Sequence, residues 1–400
     1  MNALLTDPPE IRWRVVRDLF QIKDSKDREV LIEMLQHRLD RIDDPRIKSR
    51  VVLGLQALHR PLMTKGGNFL VRHKGAYTQS ALEQLETQDR QRRLSPFLPV
   101  VDFHIHPKTP DLKFLSDLRE AGVTHGVILA TDTDPADVDR PEVRHQLKEA
   151  FSKASISHHT SFDSLIRHIK AGLYSLTIVT NQDVADWVED YPDLLTGFGS
   201  INLSKDKSYV DRKLTELKRL KLKGIKFLPH AQFFNPSENE HMDRVFDFCR
   251  QTGVIILTHT GCGPGPFEIL ELSQNSNPVL WEPWLKKYPD VPVVLAHCGA
   301  RSTVVPGIWL FEALQMGKKY SNVYADLSEV DWLLDREMVV QEIRKTIGFN
   351  RVLFASSYPL PLGTGGNLAN IVKGIRANSY LTPKEKNKVL GQNAAHLLGL

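Results

Sequence analysis

Val100-Val101-Asp102-Phe103-His104-Ile105-His106 is a short run that begins apolar and β-branched and ends in two histidines. Seven more runs of similar texture follow, at residues 126–130, 196–201, 224–228, 254–259, 292–297, 322–327 and 351–355. Stretches of helical period separate them. Eight strands alternating with helices across residues 97–400 predict an α/β fold of the (β/α)8 barrel type, because an open doubly wound sheet seldom needs so many. A ninth run, residues 175–179, is expected in an excursion between the second and third strands, since residues 145–173 before it are polar and helical in pattern.

Upstream the texture changes. Residues 1–95 are expected to form a small all-α extension, joined to the barrel by Leu94-Ser95-Pro96-Phe97-Leu98-Pro99. Asp7-Pro8-Pro9-Glu10 has the composition of a capped helix start, and the pattern from Asp7 to Val16 returns at Asp43 to Val52, as in a short helical repeat. This segment carries 18 Lys and Arg against 13 Asp and Glu, leaving 34 against 35 for the rest, so the net charge of +4 is local to it. Such a basic helical face suits docking of a protein partner or polyanion, or self-association, but a solvated face on a packed cap is the more common origin of such a pattern.

With 41% hydrophobic and 25% charged residues the composition is that of a globular protein. No apolar run approaches the roughly 20 residues that span a bilayer, and the N-terminus has no leader pattern, so no membrane association and a cytoplasmic location are expected. Three widely spaced cysteines, Cys249, Cys262 and Cys298, form no C-x-x-C pair and fit a reducing compartment. The small charge excess does not call for nucleic acid.

In a barrel the C-terminal strand ends meet at one mouth. The residues placed there include His104 and His106, Lys226, His259, His297, Asp326, and Ser356-Ser357. His104 and His106 lie two apart on one strand, so both imidazoles point the same way. Three neutral imidazoles around Zn²⁺, with a fourth position open, make a sufficient catalytic site; a lone strand-end histidine is more often a satisfied core residue. Asp102 is expected to orient a histidine, Lys226 to pair with a carboxylate or bridge two metals, and His125, His158, His159 and His168 to be solvated. The glycine- and proline-rich stretch 261–266 reads as a flexible loop over the mouth. Arg301 and Lys226 are candidates for a substrate carboxylate or for structural ion pairs; Trp281, Trp284 and Trp309 are expected in helix packing rather than a pocket.

These residues resemble the amidohydrolase superfamily, in its amidohydrolase-related branch that includes aminocarboxymuconate-semialdehyde decarboxylase. The likeness covers residues 97–400 in order: Val101-Asp102-Phe103-His104-Ile105-His106-Pro107, Gly224-Ile225-Lys226-Phe227, Thr258-His259-Thr260-Gly261, Leu295-Ala296-His297-Cys298-Gly299, Asn322 to Ser328, Arg351 to Pro359, and the tail Gly391 to Gly399. It implies one divalent metal, usually zinc, held by His104, His106 and His259, with His297 as acid/base. The implied reaction is hydrolysis or non-oxidative decarboxylation of a small carboxylated or aromatic molecule through a zinc-bound water. The family pattern has Asp before the Tyr-Pro of the eighth strand, where this chain has Ser357. A neutral hydroxyl is a poor ligand and no base near pH 7, so the alternative is a catalytically impaired barrel that binds a ligand or partner.

Overall fold

A computed structural model of the protein describes residues 99–106, 112–176, 179–359 and 368–400. The expected helical extension and its repeat lie outside these residues. All eight strands form, as β1 (Val101–Ile105), β2 (His125–Leu129), β3 (Leu195–Ser200), β4 (Gly224–Phe227), β5 (Ile255–Gly261), β6 (Val293–Arg301), β7 (Val323–Asp326) and β8 (Val352–Leu353). They pair in sequence order and every ladder is parallel. Parallel strands covered on both faces read as continuous apolar runs rather than alternating ones, and seven of the eight are buried at every position. β1 meets the chain beyond β8 through Phe103 N–H to Phe354 O (3.0 Å), Ser357 N–H to His104 O (2.8 Å) and His106 N–H to Tyr358 O (2.7 Å), which closes the ring.

The connections are helical: α1 (Leu112–Glu120) after β1, α5 (Lys207–Arg219) after β3, α6 (Met242–Thr252) after β4, α7 (Glu282–Lys287) after β5, α8 (Leu310–Lys319) after β6 and α9 (Glu337–Lys345) after β7. The expected excursion between β2 and β3 is present as α2 (Pro141–Lys153), α3 (Phe162–Leu176) and α4 (Asn181–Asp190); the last is started by a capping box of Thr180 with Asp183. It packs Val143, Leu147, Leu165, Ile169 and Leu173 against Leu228, Phe233 and Phe267 from the loops after β4 and β5, and so covers one side of the mouth. After β8 come α10 (Leu368–Ala377) and α11 (Asn393–Leu398); Asn393 donates to Phe349 O and Val352 O, both at 2.8 Å, and pins α11 beside β8.

Val101 and Phe103 from β1, Val127 and Leu129 from β2, Phe198 from β3, Ile255 and Leu257 from β5, Val294 and Ala296 from β6, and Leu353 from β8 form one buried cluster. Side chains from opposite sides of a ring can share a cluster only through its interior, so this is the apolar filling of the barrel. Phe198 claims its place because β4 begins with glycine: a Cβ on Gly224 would fall 2.3 Å from the ring. Trp281 packs on Phe227 and Phe246, and Trp284 stacks on Phe246, as expected for helix packing. The three cysteines are free and buried.

Candidate active site at the barrel mouth

The regular ladder gives way where the polar residues begin. In β1 the register shifts between Asp102 and Ile105. Between the pairs His259↔Ala296 and Gly261↔Arg301, β6 advances five residues while β5 advances two. The excess is taken up by positive φ at His297 (60°), Cys298 (48°) and Gly299 (67°). Gly261, at φ 99°, lets the strands stay together, since a Cβ there would meet Arg301 O at 2.6 Å. Glu329 and Ser357 also adopt left-handed backbone, at 59° and 62°. Four non-glycine residues with left-handed backbone, two within β6 and one each beyond β7 and β8, mark the mouth as the strained part of the barrel.

Asp326, the last residue of β7, organises the histidines. Its Oδ2 accepts from His104 Nδ1 at 2.8 Å, while Oδ1 accepts from the backbone N–H of His297 at 2.8 Å and from the hydroxyl of Ser328 at 2.6 Å. A carboxylate accepts only, so His104 carries its proton on Nδ1 and presents a bare Nε2. His297 Nδ1 lies 2.8 Å from the carbonyl of Ser328, and His259 Nε2 lies 3.2 Å from the carbonyl of Cys262. By the same reasoning His297 Nε2 and His259 Nδ1 are bare, and these two atoms face each other at 3.2 Å. His104 Nε2 lies 2.9 Å from His106 Nε2 and 3.1 Å from the ammonium-bearing end of Lys226.

The expected ligands His104, His106 and His259 and the expected acid/base His297 thus come together as two pairs, His104 with His106 and His259 with His297, and the His104 and His297 rings are 5.2 Å apart at their centroids. Among the described residues no three His, Cys, Asp or Glu side chains stand in ready coordination. The bare nitrogens of His259 and His297, 3.2 Å apart, repel unless something positive lies between them. A proton is a poor candidate: burial holds His104 and His259 well below the ordinary imidazole value and pushes His297 down to about 3. His104, His259 and His297, neutral and each oriented from behind by an oxygen acceptor, turn bare nitrogens inward, the donor chemistry that fits a divalent cation.

Several sequence expectations change here. Asp102 does not orient an imidazole: its carboxylate accepts from the backbone N–H groups of His104 (3.2 Å) and Ser356 (2.9 Å) and from the Ser356 hydroxyl (2.5 Å). It joins β1 to the segment after β8, and burial raises it to about 7. Arg301 is already engaged: Glu268 takes one nitrogen at 2.9 Å, Glu329 another at 3.0 Å, and the Cys262 carbonyl a third contact at 2.6 Å. That carbonyl is the one His259 reads, so Arg301 positions the imidazole's partner rather than a substrate. The stretch after Gly261 is tied down by the same contacts. His125, expected to be solvated, is buried and lies 2.7 Å from the Thr196 hydroxyl, because it is the first residue of a strand covered on both faces. His158, His159 and His168 are exposed as expected.

Ser357 is fully buried, and its hydroxyl has no hydrogen-bond partner among the described residues. Burying an unsatisfied hydroxyl costs about 1–3 kcal/mol. Lys226 is also fully buried, and desolvation pulls its amine down to about 7. Two residues escaped the sequence reading. His230, in the turn Pro229–Gln232 after β4, packs tilted against His259 with ring centroids 4.5 Å apart and edge-on against Phe267, and its Nδ1 contacts the Ser276 hydroxyl at 2.9 Å. Its signal was adjacency, three residues beyond the strand end in Leu228-Pro229-His230. Ser328, two residues past Asp326, lies against His104 and His297 alike.

The family model described as amidohydrolase matches residues 172–400, more than half of the chain. None of the curated proteins compared with the chain matches it by sequence. Among solved structures, an uncharacterized TIM-barrel protein from Bordetella bronchiseptica is 17% identical, covering 76% of this chain and 99% of its own, at a TM-score of 0.53. The 5-carboxyvanillate decarboxylase of Sphingomonas paucimobilis is 15% identical over 76% of this chain and 100% of its own, at 0.49. A manganese-bound 5-carboxyvanillate decarboxylase mutant from Novosphingobium aromaticivorans is 18% identical over 94% of both chains, at 0.47. The first shares the barrel fold. Among the described residues no helix is long and apolar enough to cross a membrane.

Proposed function

The chain belongs to the amidohydrolase family, and from that premise we propose that its barrel is a divalent-metal-dependent hydrolase or non-oxidative decarboxylase of a small carboxylated or aromatic molecule. The observation that carries this reading is the bare inward nitrogens of His104, His259 and His297, each ring backed by an oxygen acceptor. His104, His106 and His259 would hold the ion, which when bound supplies Lewis-acid activation of water or of a substrate oxygen. Asp326 keeps His104 in the tautomer with a free Nε2. His297 offers a bare Nε2 for proton transfer, and its burial keeps that atom unprotonated near neutral pH. With Arg301 occupied by two glutamates, Lys226, whose Nζ lies 3.1 Å from His104 Nε2, is the other candidate to meet a substrate carboxylate. The apolar layer below and the excursion beside the mouth exclude water from these groups.

Ser357 favours a second reading, a barrel that binds its ligand without turnover, since its unpartnered hydroxyl supplies neither a base nor a strong ligand. Metal analysis of protein purified with Zn²⁺ or Mn²⁺ tests the first: about one equivalent is expected in the wild type and loss in His104→Ala. Absence of metal from the wild type would overturn it. A panel of carboxylates, esters and amides separates the two readings. Wild-type turnover supports the enzyme; turnover that appears only in Ser357→Asp supports the silent barrel.

A further inference from the structure

We propose that the base of the barrel, opposite the mouth, is a docking surface for the sugar-phosphate backbone of duplex DNA. The strands are parallel and pair in order, so every link from a helix into the next strand lies at that end. The last turns of α5 to α9 and their links into β4 to β8 are neighbours round the ring, at residues 216–223, 249–254, 284–292, 316–322 and 342–351. They hold twelve Lys and Arg against three Asp and Glu, which leaves 22 against 32 for the rest of residues 96–400. A near-neutral barrel is thus strongly polarised, and its total charge conceals this. Six lysines in the arc, Lys218, Lys221, Lys223, Lys286, Lys318 and Lys345, are exposed and form no ion pair among the described residues.

A cation in the last turn of a helix complements the helix dipole, and this accounts for part of the pattern. It does not account for Lys221 and Lys223, which lie beyond the end of α5. Lys221 also stands at φ 54°, a backbone conformation that lysine seldom adopts. α4 runs the same way as α5, yet its last turn and link carry Glu189, Asp190 and Asp193 and no cation. The helix direction therefore does not dictate the sign of charge at this end.

The class of partner follows from the side chains present. Every Val, Leu, Ile, Met, Phe, Tyr and Trp in the five segments is buried or half-buried. A protein partner finds no apolar anchor there, at a face rich in the lysine that protein interfaces disfavour; a bilayer receives nothing to insert. The bases of a single strand find no exposed ring on which to stack. Arg250 and Arg344, which could fork onto a base or a carboxylate, are taken by Asp247 and Glu385, each at 2.7 Å. RNA duplexes are recognised through 2′-hydroxyls across a groove, and helix ends joined by short links offer no element that enters one. Lysine point charges against closely spaced phosphates are the sequence-independent mode of holding duplex DNA.

Fluorescence anisotropy of the full-length protein with a labelled DNA duplex of about 20 base pairs tests this, over a range of NaCl concentrations. At about 150 mM NaCl the wild type is expected to bind with a Kd of about 10⁻⁶ to 10⁻⁴ M, weakening steeply as salt rises. Lys221→Gln with Lys223→Gln, and separately Lys286→Gln with Lys318→Gln, should each weaken binding about tenfold or more and lower the log–log salt slope by about two. Lys148→Gln with Lys207→Gln, in α2 and at the mouth end of α5, should leave both quantities unchanged. Melting temperatures check that the variants fold, and either base pair suffices if the other does not. A wild type that binds more weakly than about 10⁻³ M, or base variants that bind as the wild type does, would overturn the proposal. Tighter binding of polyglutamate, of an RNA duplex or of phosphatidylserine vesicles than of the DNA would overturn the choice of partner.

Discussion

The barrel holds two layers built on the same strands, and they obey different rules. The apolar layer, centred on Phe103, Phe198, Leu257 and Val294, keeps regular register, and its members interlock by size, as Phe198 does with Gly224. The polar layer above it breaks register in β1 and between β5 and β6, and places His297, Cys298, Glu329 and Ser357 at positive φ. Packing stabilises the first and lets the second carry strain and incompletely satisfied groups. What the contrast teaches is a division of labour along a few ångströms of strand: stability below, chemistry above.

The sharpest way to break that division is Phe198→Ala. Emptying the apolar layer should cost about 3–5 kcal/mol in urea unfolding, while the folded protein keeps the metal affinity proposed for the mouth; a parallel collapse of that affinity would show the layers to be one unit. Next is Gly224→Ala, expected to cost about 1–3 kcal/mol by overpacking, with Phe198→Leu in the same chain recovering part of the loss. Arg301→Met probes the upper layer. Freeing the Cys262 carbonyl and leaving Glu268 beside Glu329 should lower stability by about 1.5–3 kcal/mol, and Zn²⁺ titration should show weaker binding as His259 loses its fixed partner.

The smallest effect belongs to neither layer and serves as a control. Arg344 holds Glu385 through hydrogen bonds of 2.7 and 2.9 Å and lowers its carboxyl from 4.5 to about 2. A lowered carboxyl stabilises the fold above its unfolded value and loses that contribution as pH falls through the folded one. The melting-temperature gap between wild type and Glu385→Gln should therefore be constant near neutrality and close between about pH 4.5 and 2. The metal binding proposed for the mouth should be the same in both proteins at neutral pH.

The apolar layer was legible because strand-length runs of Val, Ile and Leu leave a local trace, and so were the strand-end residues His104, His106, His259 and His297. The polar layer was legible only as a list of members. Which oxygen faces which imidazole depends on backbone excursions after β6, β7 and β8, where the chain leaves the period that patterning detects. Asp102 and Asp326 both stood near strand histidines, and nothing local distinguished the one that grips a ring from the one that grips backbone. Arg301 illustrates the same limit: its partners Glu268 and Glu329 lie 33 and 28 residues away. His125 differs from expectation because β2 begins one residue before the apolar run 126–130, which puts its side chain under the cover of the barrel.

The seam that closes the ring carries a consequence in time. Asp102 and Ser356 are 254 residues apart, yet their contact joins the first strand to the segment after the last. As the chain leaves the ribosome, His104 and His106 emerge early and wait for Asp326, Ser328 and Ser357, which come near the end. Such distant pairings make closure a late, slow event in folding. A nascent chain stopped before residue 350 would hold every imidazole of the mouth and still have no mouth.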